Sequence, residues 1–188
     1  LIYSLYYDLR SLVIGRMFSS SMLGHYNRGS QFPGIIVTNI DGSIQSVLLP
    51  VLSSEQNNIP RVKSMARRAV VTSTFVIFPM MFGLFVIAEP LVKILLTDKW
   101  LPCVPFLQIF CLIYALWPIH TVNLQAINAI GRSDVNLNLQ IIKRTLDILI
   151  LIVTISMGIY AIALGALFSG VASSFINAFP NKKLINYN

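Results

Sequence analysis

The sequence predicts an all-α protein, a polytopic bundle of about six membrane-spanning helices. Residues 69–88 form a twenty-residue segment without a charge, and an α-helix of that length covers the roughly 30 Å hydrocarbon core of a bilayer. A basic cluster of Arg61, Lys63, Arg67 and Arg68 directly precedes it. Hydrophobic residues make up 55% of the chain and charged residues 11%, whereas soluble domains carry about 25% charged residues. Lipid must therefore cover part of the surface.

Six apolar segments follow one another along the chain, and together they form a single transmembrane domain. We expect spans at residues 1–22, 31–53, 68–88, 101–130, 137–157 and 159–180. The third span continues into a short segment that reaches Leu96. The stretch 148–181 has no charge over 34 residues, which is too long for one crossing of about 20 residues. Gly158 is the predicted tight turn that divides this stretch into a helical hairpin.

Basic residues fall mainly in alternate gaps between these spans. Nine lie on one predicted side of the membrane and two, Arg28 and Lys99, lie on the other. The positive-inside rule places the side with nine in the cytoplasm. With six spans, both ends of the chain are then cytoplasmic. The chain begins and ends next to apolar or basic segments rather than at clear boundaries, so we expect a piece of a longer polytopic protein.

The net charge of +7 does not indicate a nucleic-acid-binding protein. The basic residues form no stripe with interleaved aromatic residues, so no nucleic-acid partner is expected. Cys103 and Cys111 lie eight positions apart without a CxxC motif or a histidine at ligand spacing. We interpret both as small apolar residues within one helix.

Charges inside the first two spans are the strongest functional signal in the sequence. Asp8, Arg10 and Arg16 lie in the first span, and Asp41 and Gln45 lie in the second. Charge within a membrane is costly and usually marks a substrate or ion pathway. Small and polar residues recur at helical spacing around them, so two neighbouring helices would present polar faces to one cavity. Guanidinium groups in such a cavity would attract an anion such as phosphate.

A purely structural interpretation of these charges stays open. The four charged residues could form a salt-bridge network that only holds helices together. Arg16 lies near one end of its span, so its side chain could extend to the lipid headgroups.

Two other polar positions favour structural roles. Asp147 follows Lys143 and Arg144 by four and three residues, which makes an ion pair within one helix available. His120 lies among polar residues of the fourth span. It could relay protons, but a hydrogen-bonded packing role is favoured.

The sequence favours a protein that is not an enzyme. The phosphate-binding, metalloprotease and nucleophile-elbow motifs GxGxxG, GxxxxGK[ST], HExxH and GxSxG are absent. Only seven carboxylates are present, and most have local partners. We therefore expect no catalytic residues, no metal site and no cofactor.

Five short motifs resemble the polysaccharide and lipid-linked oligosaccharide flippases of the MOP exporter superfamily, which also contains the MATE drug exporters. They occur in the same order as in that family: LVIGRMFSSSMLGHYN at 12–27, LLPVLS at 48–53, AEPLVKILLTDKW at 88–100, NAIGRSDVNLN at 128–138 and FINAFPNKKLINY at 175–187. They are spread along most of the chain, from residue 12 to residue 187. One departure is the run Ser19 to Ser21, where family members often have Gly or Pro.

The resemblance implies the second lobe of a two-lobe transporter, without the first lobe and the final helices. It implies alternating access around a basic cavity for an undecaprenyl-pyrophosphate-linked oligosaccharide, an O-antigen, capsule or exopolysaccharide precursor. The expected location is the bacterial cytoplasmic (inner) membrane, with lipids around the bundle. Asp8 and Arg16 match polar positions of the family, whereas Arg10, Asp41 and Gln45 are inferred from spacing.

Three other functional hypotheses remain. A MATE-like exporter of cationic drugs would need a more acidic cavity, and the arginines argue against it. A membrane-embedded glycan enzyme would usually have a long outer loop, and the predicted outer gaps are about ten residues or shorter. In a structural membrane scaffold, the charges of the first two spans would be inert.

Overall fold

The computed structural model describes the backbone of Ile2–Leu184 and the side chains of residues 10–177. In this part of the chain every regular element is helical, which confirms the predicted fold class. The α-helices are α1 Ile2–Met17, α2 Ser20–Ser54, α3 Ile59–Val86, α4 Ala88–Leu96, α5 Val104–Ala115, α6 Trp117–Ala129, α7 Ser133–Ile155 and α8 Ile159–Leu184. A short 3-10 helix at Asp98–Cys103 joins α4 to α5.

The first two helices differ from the expected spans. The expected break at residues 23–30 is helical, and the chain bends at Phe18 and Ser19 instead. The Ser19 hydroxyl accepts a hydrogen bond from the Met22 backbone at 3.2 Å and caps the new helix. The helix then continues unbroken because Tyr26 is buried against Phe106 and Phe110 of α5. Tertiary packing thus overrides a segment whose glycines and polar residues suggested a loop.

The fourth expected span, 101–130, is divided between α5 and α6. The break at Leu116 precedes Pro118, whose missing N–H is tolerated only in the first turn of a helix. The break bends the chain where Leu116 and Trp117 line a cavity.

The other connections agree with the sequence. Gly158 has a backbone φ of +105° and forms the tight turn between α7 and α8, as predicted. Gly131, with a φ of +75°, turns the chain between α6 and α7. Both positions favour glycine because a side chain is strained at positive φ.

α5 and α6 lie at the centre of the bundle. α5 packs against α2, α3 and α8, and α6 packs against the same three helices and against α7. Cys103 and Cys111 are buried free thiols within this core, in agreement with apolar filling. They lie in the 3-10 helix and in α5, however, and not within one helix as expected. The outward faces carry large exposed apolar side chains such as Phe75, Ile94 and Phe168, and lipid covers such faces in a membrane protein.

Four helical segments of the described residues are long and apolar enough to cross a membrane. They are Ser20–Ser54, Ile59–Val86, Asp98–Ala129 and Ile159–Asn177. They correspond to four of the six expected spans. The described part of α1 is only 16 residues long. α7 has sufficient length, at 23 residues, but it carries Lys143, Arg144 and Asp147 in its interior. The protein is therefore a multi-pass membrane protein.

Candidate functional site

A cavity of about 290 Å³ lies between α1, α2 and α5 to α8. Small residues on one face of α8 leave room for it, among them Ser169, Gly170 and Ser173. α6 presents Trp117 and Thr121 to the cavity from the turns that follow the Leu116 break. The cavity thus lies beside the break between α5 and α6 and beside the small residues of α8.

Asp41 is the centre of a hydrogen-bonded cluster on the wall formed by α2 and α6. Its side chain is buried, and its Oδ2 accepts three hydrogen bonds. The donors are Gln45 Nε2 at 2.7 Å, Trp117 Nε1 at 3.1 Å and Thr121 Oγ1 at 3.2 Å. Donors from two helices compensate the cost of burying a carboxylate. This cluster therefore fixes the position of α2 relative to α6.

A pair of side-chain amides extends this polar wall. Gln125 Nε2 of α6 donates to Gln45 Oε1 at 2.8 Å. The Gln125 Oε1 atom is buried and has no hydrogen-bond partner among the described residues. A buried acceptor of this kind is costly unless a ligand or water donates to it. Gln125 thus offers an acceptor beside the cavity.

The α7 wall is basic. Gln140, Lys143, Arg144 and Asp147 lie at positions i, i+3, i+4 and i+7 of that helix and all line the cavity. Arg144 Nη1 lies 3.4 Å from Asp147 Oδ2, so the predicted ion pair within the helix is confirmed. Arg10 of α1 lines the same cavity and interacts electrostatically with Asp147. Three cationic side chains thus share a region with one carboxylate.

His120 connects three helices at the edge of this basic region. On α6, its Nε2 lies 3.4 Å from Lys143 Nζ of α7, and its Nδ1 lies 2.6 Å from Asn177 Nδ2 of α8. Its ring centroid lies 6.2 Å from that of Trp117. The favoured hydrogen-bonded packing role agrees with these contacts, although the ring also lines the cavity.

The structure brings together three of the five residues selected from the sequence. Arg10, Asp41 and Gln45 all line the cavity. Arg16 is exposed and is not part of the cavity wall. Asp8 lies in α1, but its side chain is outside the described residues. No group of three His, Cys, Asp or Glu side chains within the described part could hold a metal ion.

Sequence reasoning missed the contribution of α7. Lys143 and Arg144 were counted with the basic residues outside the spans, but Lys143 is 3% exposed and both line the cavity. The signal was present in the sequence, because four polar residues follow the i, i+3, i+4, i+7 pattern of one helix face. Without these two, seven basic residues remain on the predicted cytoplasmic side, against two on the other.

Comparison with known proteins assigns the family. The sequence pattern of a family described as "Polysaccharide biosynthesis protein" matches residues 1–105, more than half of the chain. The chain belongs to this family. No solved structure matches it.

Characterised relatives of this polysaccharide biosynthesis family member agree with the predicted membership in the polysaccharide transporter family. The lipopolysaccharide biosynthesis protein WzxC of Escherichia coli K12 is 22% identical over 173 residues, 92% of this chain and 35% of WzxC. The teichuronic acid biosynthesis protein TuaB of Bacillus subtilis is 24% identical over 127 residues, 68% of this chain and 26% of TuaB. The succinoglycan biosynthesis transport protein ExoT of Rhizobium meliloti is 27% identical over 101 residues, 54% of this chain and 20% of ExoT. The chain thus spans about a third or less of each relative.

Proposed function

We propose that this chain is one lobe of a flippase that moves a lipid-linked oligosaccharide across the bacterial cytoplasmic membrane. Its family and its relatives support a role in polysaccharide biosynthesis or transport. The single observation that carries the proposal is the cationic group of Arg10, Lys143 and Arg144 around one cavity of a membrane protein. Such charges are expensive in a bilayer and are kept where a substrate needs them.

The basic wall fits the phosphates of an undecaprenyl pyrophosphate carrier. Arginine binds phosphate oxygens in a bidentate manner, and a lysine adds a compact positive charge. The three cations outnumber the two cavity carboxylates, Asp41 and Asp147. This excess of positive charge favours an anionic substrate over the cationic drug of a MATE-like exporter.

The uncharged polar side chains of the cavity fit sugar hydroxyl groups. Gln125 Oε1 offers an unused acceptor, and Ser169, Ser173 and Ser174 of α8 line the same space. A hydroxyl group donates and accepts hydrogen bonds, so a sugar matches a wall of amides and serines. Asp41 and Gln45 would then shape the polar path, with Asp8 as a member inferred from the sequence. Arg16 is exposed outside the cavity, so we do not assign it to this path.

We further propose that transport needs a first lobe of the same protein. Alternating access would occur as two lobes rock around a cavity near the membrane midplane. Both ends of this chain would face the cytoplasm, as the asymmetry of basic residues indicates. The protein would move its substrate without chemical change, so we assign it no enzymatic activity.

Complementation of a flippase-deficient strain tests this proposal. The full-length gene is introduced with Arg10→Ala and with Arg16→Ala, a matched arginine of the same helix outside the cavity. We expect surface polysaccharide to return with the parent and with Arg16→Ala, and to fall at least about tenfold with Arg10→Ala at equal membrane level, because a charged hydrogen bond is lost.

Each other outcome has a defined meaning. Equal loss of surface polysaccharide in both variants would favour a substrate path along the polar face of α1 rather than through the cavity. Full activity of both would remove Arg10 from the site. Failure of a well-expressed parent in several deficient hosts, together with resistance to cationic drugs, would favour the MATE-like exporter.

A further inference from the structure

The contacts of His120 contain a donor and acceptor conflict. A lysine ammonium has three donors and no acceptor, so His120 Nε2 must accept from Lys143 Nζ, 3.4 Å away. The neutral ring then carries its proton on Nδ1. That nitrogen lies 2.6 Å from the amide nitrogen of Asn177, which is also a donor. Two donors would face each other at this short distance.

Rotation of the Asn177 amide by a half-turn removes the conflict. The rotation exchanges oxygen and nitrogen, which have nearly the same shape. Asn177 Oδ1 is buried without a hydrogen-bond partner among the described residues in its present position. After the rotation it accepts the Nδ1 proton of His120. Each of the two contacts, Asn177 with His120 and His120 with Lys143, then has one donor and one acceptor.

Lys143 needs this support because its ammonium group is buried. Its side chain is buried, and a buried ammonium without an acceptor is strongly unfavourable. Asp147, the carboxylate on the same helix, already pairs with Arg144 at 3.4 Å and also interacts with Arg10. The imidazole therefore supplies a hydrogen-bond acceptor in addition to the electrostatic interaction of Lys143 with Asp147.

We propose that His120 is a positioning residue that holds the Lys143 ammonium at the cavity wall, in a tautomer set by the Lys143 donor and supported by the Asn177 carbonyl. The imidazole acts through Lys143 and does not itself contact the substrate. The role of Lys143 as an anion-binding group rests on the proposed function. The tautomer of His120 and the direction of its hydrogen bonds do not depend on the proposed function.

Nitrogen NMR of the histidine rings tests the arrangement directly. The full-length protein is labelled with ¹⁵N-histidine and placed in lipid nanodiscs. The His120 signals are assigned as those lost in His120→Gln, with His25 as the matched histidine outside the cavity. We expect a neutral ring protonated on Nδ1. Asn177→Leu should raise the minor population of the other tautomer, because only the Lys143 contact then still favours the Nδ1 proton. A ring protonated on Nε2 in the parent protein would overturn the proposal.

Conservative variants separate positioning from general packing. Glutamine retains an acceptor for Lys143, whereas leucine of similar size does not. Binding of inorganic pyrophosphate to the nanodisc protein should weaken at least about tenfold in His120→Leu and recover most of that loss in His120→Gln, because a hydrogen bond to a charged group is lost and restored. Equal weakening in both folded variants would contradict positioning by an acceptor.

The two proposals fail in different ways. Pyrophosphate that does not bind the parent, with His120 protonated on Nδ1, would remove the assigned substrate class and leave the tautomer assignment standing. Pyrophosphate that binds the parent, with His120 protonated on Nε2, would leave the proposed function standing and remove His120 as the positioning residue. If leucine at position 120 prevents folding, the NMR result and the glutamine variant still decide.

Discussion

At the scale of single residues, the cavity contains charges that the membrane makes expensive. Asp41 offsets that cost through donors from two helices, at 2.7 to 3.2 Å. Asp41 therefore has a structural role as well as its proposed role in the substrate path.

Replacement of Asp41 by alanine should separate these roles. Asp41→Ala leaves the donors of Gln45 and Trp117 unpaired, so we expect a loss of about 1–3 kcal/mol in the free energy of unfolding. Asp41→Asn keeps an acceptor and should lose less. Thermal unfolding in detergent measures both, with exposed Asp98→Ala as the control. If the asparagine variant is stable but does not transport, the charge itself is needed.

Lys143 should show a trade-off between stability and function. Lys143→Met removes a buried charge and keeps the side-chain volume, so stability should be unchanged or higher by about 1 kcal/mol. Surface polysaccharide should nevertheless fall at least about tenfold in the complementation assay, because a cation is lost from the cavity. Lys93→Met is the control, since Lys93 is an exposed partner of Glu89 at 2.8 Å. A variant with full transport would place Lys143 outside the substrate path.

At the scale of helices, the contact between α2 and α5 depends on a glycine. A Cβ atom at Gly29 would lie 2.6 Å from Phe106 Cβ and 2.8 Å from the Leu107 backbone nitrogen. The two helices approach each other closely because Gly29 has no side chain. The same contact buries Tyr26 and keeps α2 continuous through the expected loop.

Gly29→Ala should therefore destabilise the bundle. The new methyl group meets backbone rather than a flexible side-chain end, so we expect a loss of about 1–3 kcal/mol from overpacking. Gly83→Ala is the matched control, because Gly83 lies within α3 with no other side chain within 4 Å of its Cβ position. That control should be neutral or stabilising by up to about 1 kcal/mol. Thermal unfolding compares the two, and equal effects would contradict the tight crossing.

At the scale of the whole molecule, the number of crossings is the main open prediction. Four described segments are apolar enough to cross, whereas the sequence predicts six spans. α7 is the critical case, since its polar face lines the cavity while Ile152 and Val153 are more than 60% exposed. A helix with one polar and one apolar face can cross a membrane when its polar face meets a cavity.

Single cysteines should resolve the topology. In a background with Cys103→Ala and Cys111→Ala, we introduce Gln56→Cys, Asp98→Cys, Ser133→Cys and Met157→Cys at exposed positions. We expect a membrane-impermeant maleimide to label positions 56 and 133 from the cytoplasmic side and positions 98 and 157 from the opposite side. Labelling of 133 and 157 from the same side would mean that α7 does not cross.

The sequence alone determined the helical class, most of the apolar segments, the family and three cavity residues. These features are local, because hydrophobic runs, helical spacing and short motifs can be read without knowing which helices meet. Tertiary structure decided that residues 23–30 are helical, since Tyr26 and Gly29 gain their contacts from α5. It also decided which charges meet. Lys143 became a cavity residue because α7 turns its polar face toward His120 of α6, a relation between distant segments that spacing within one helix does not specify.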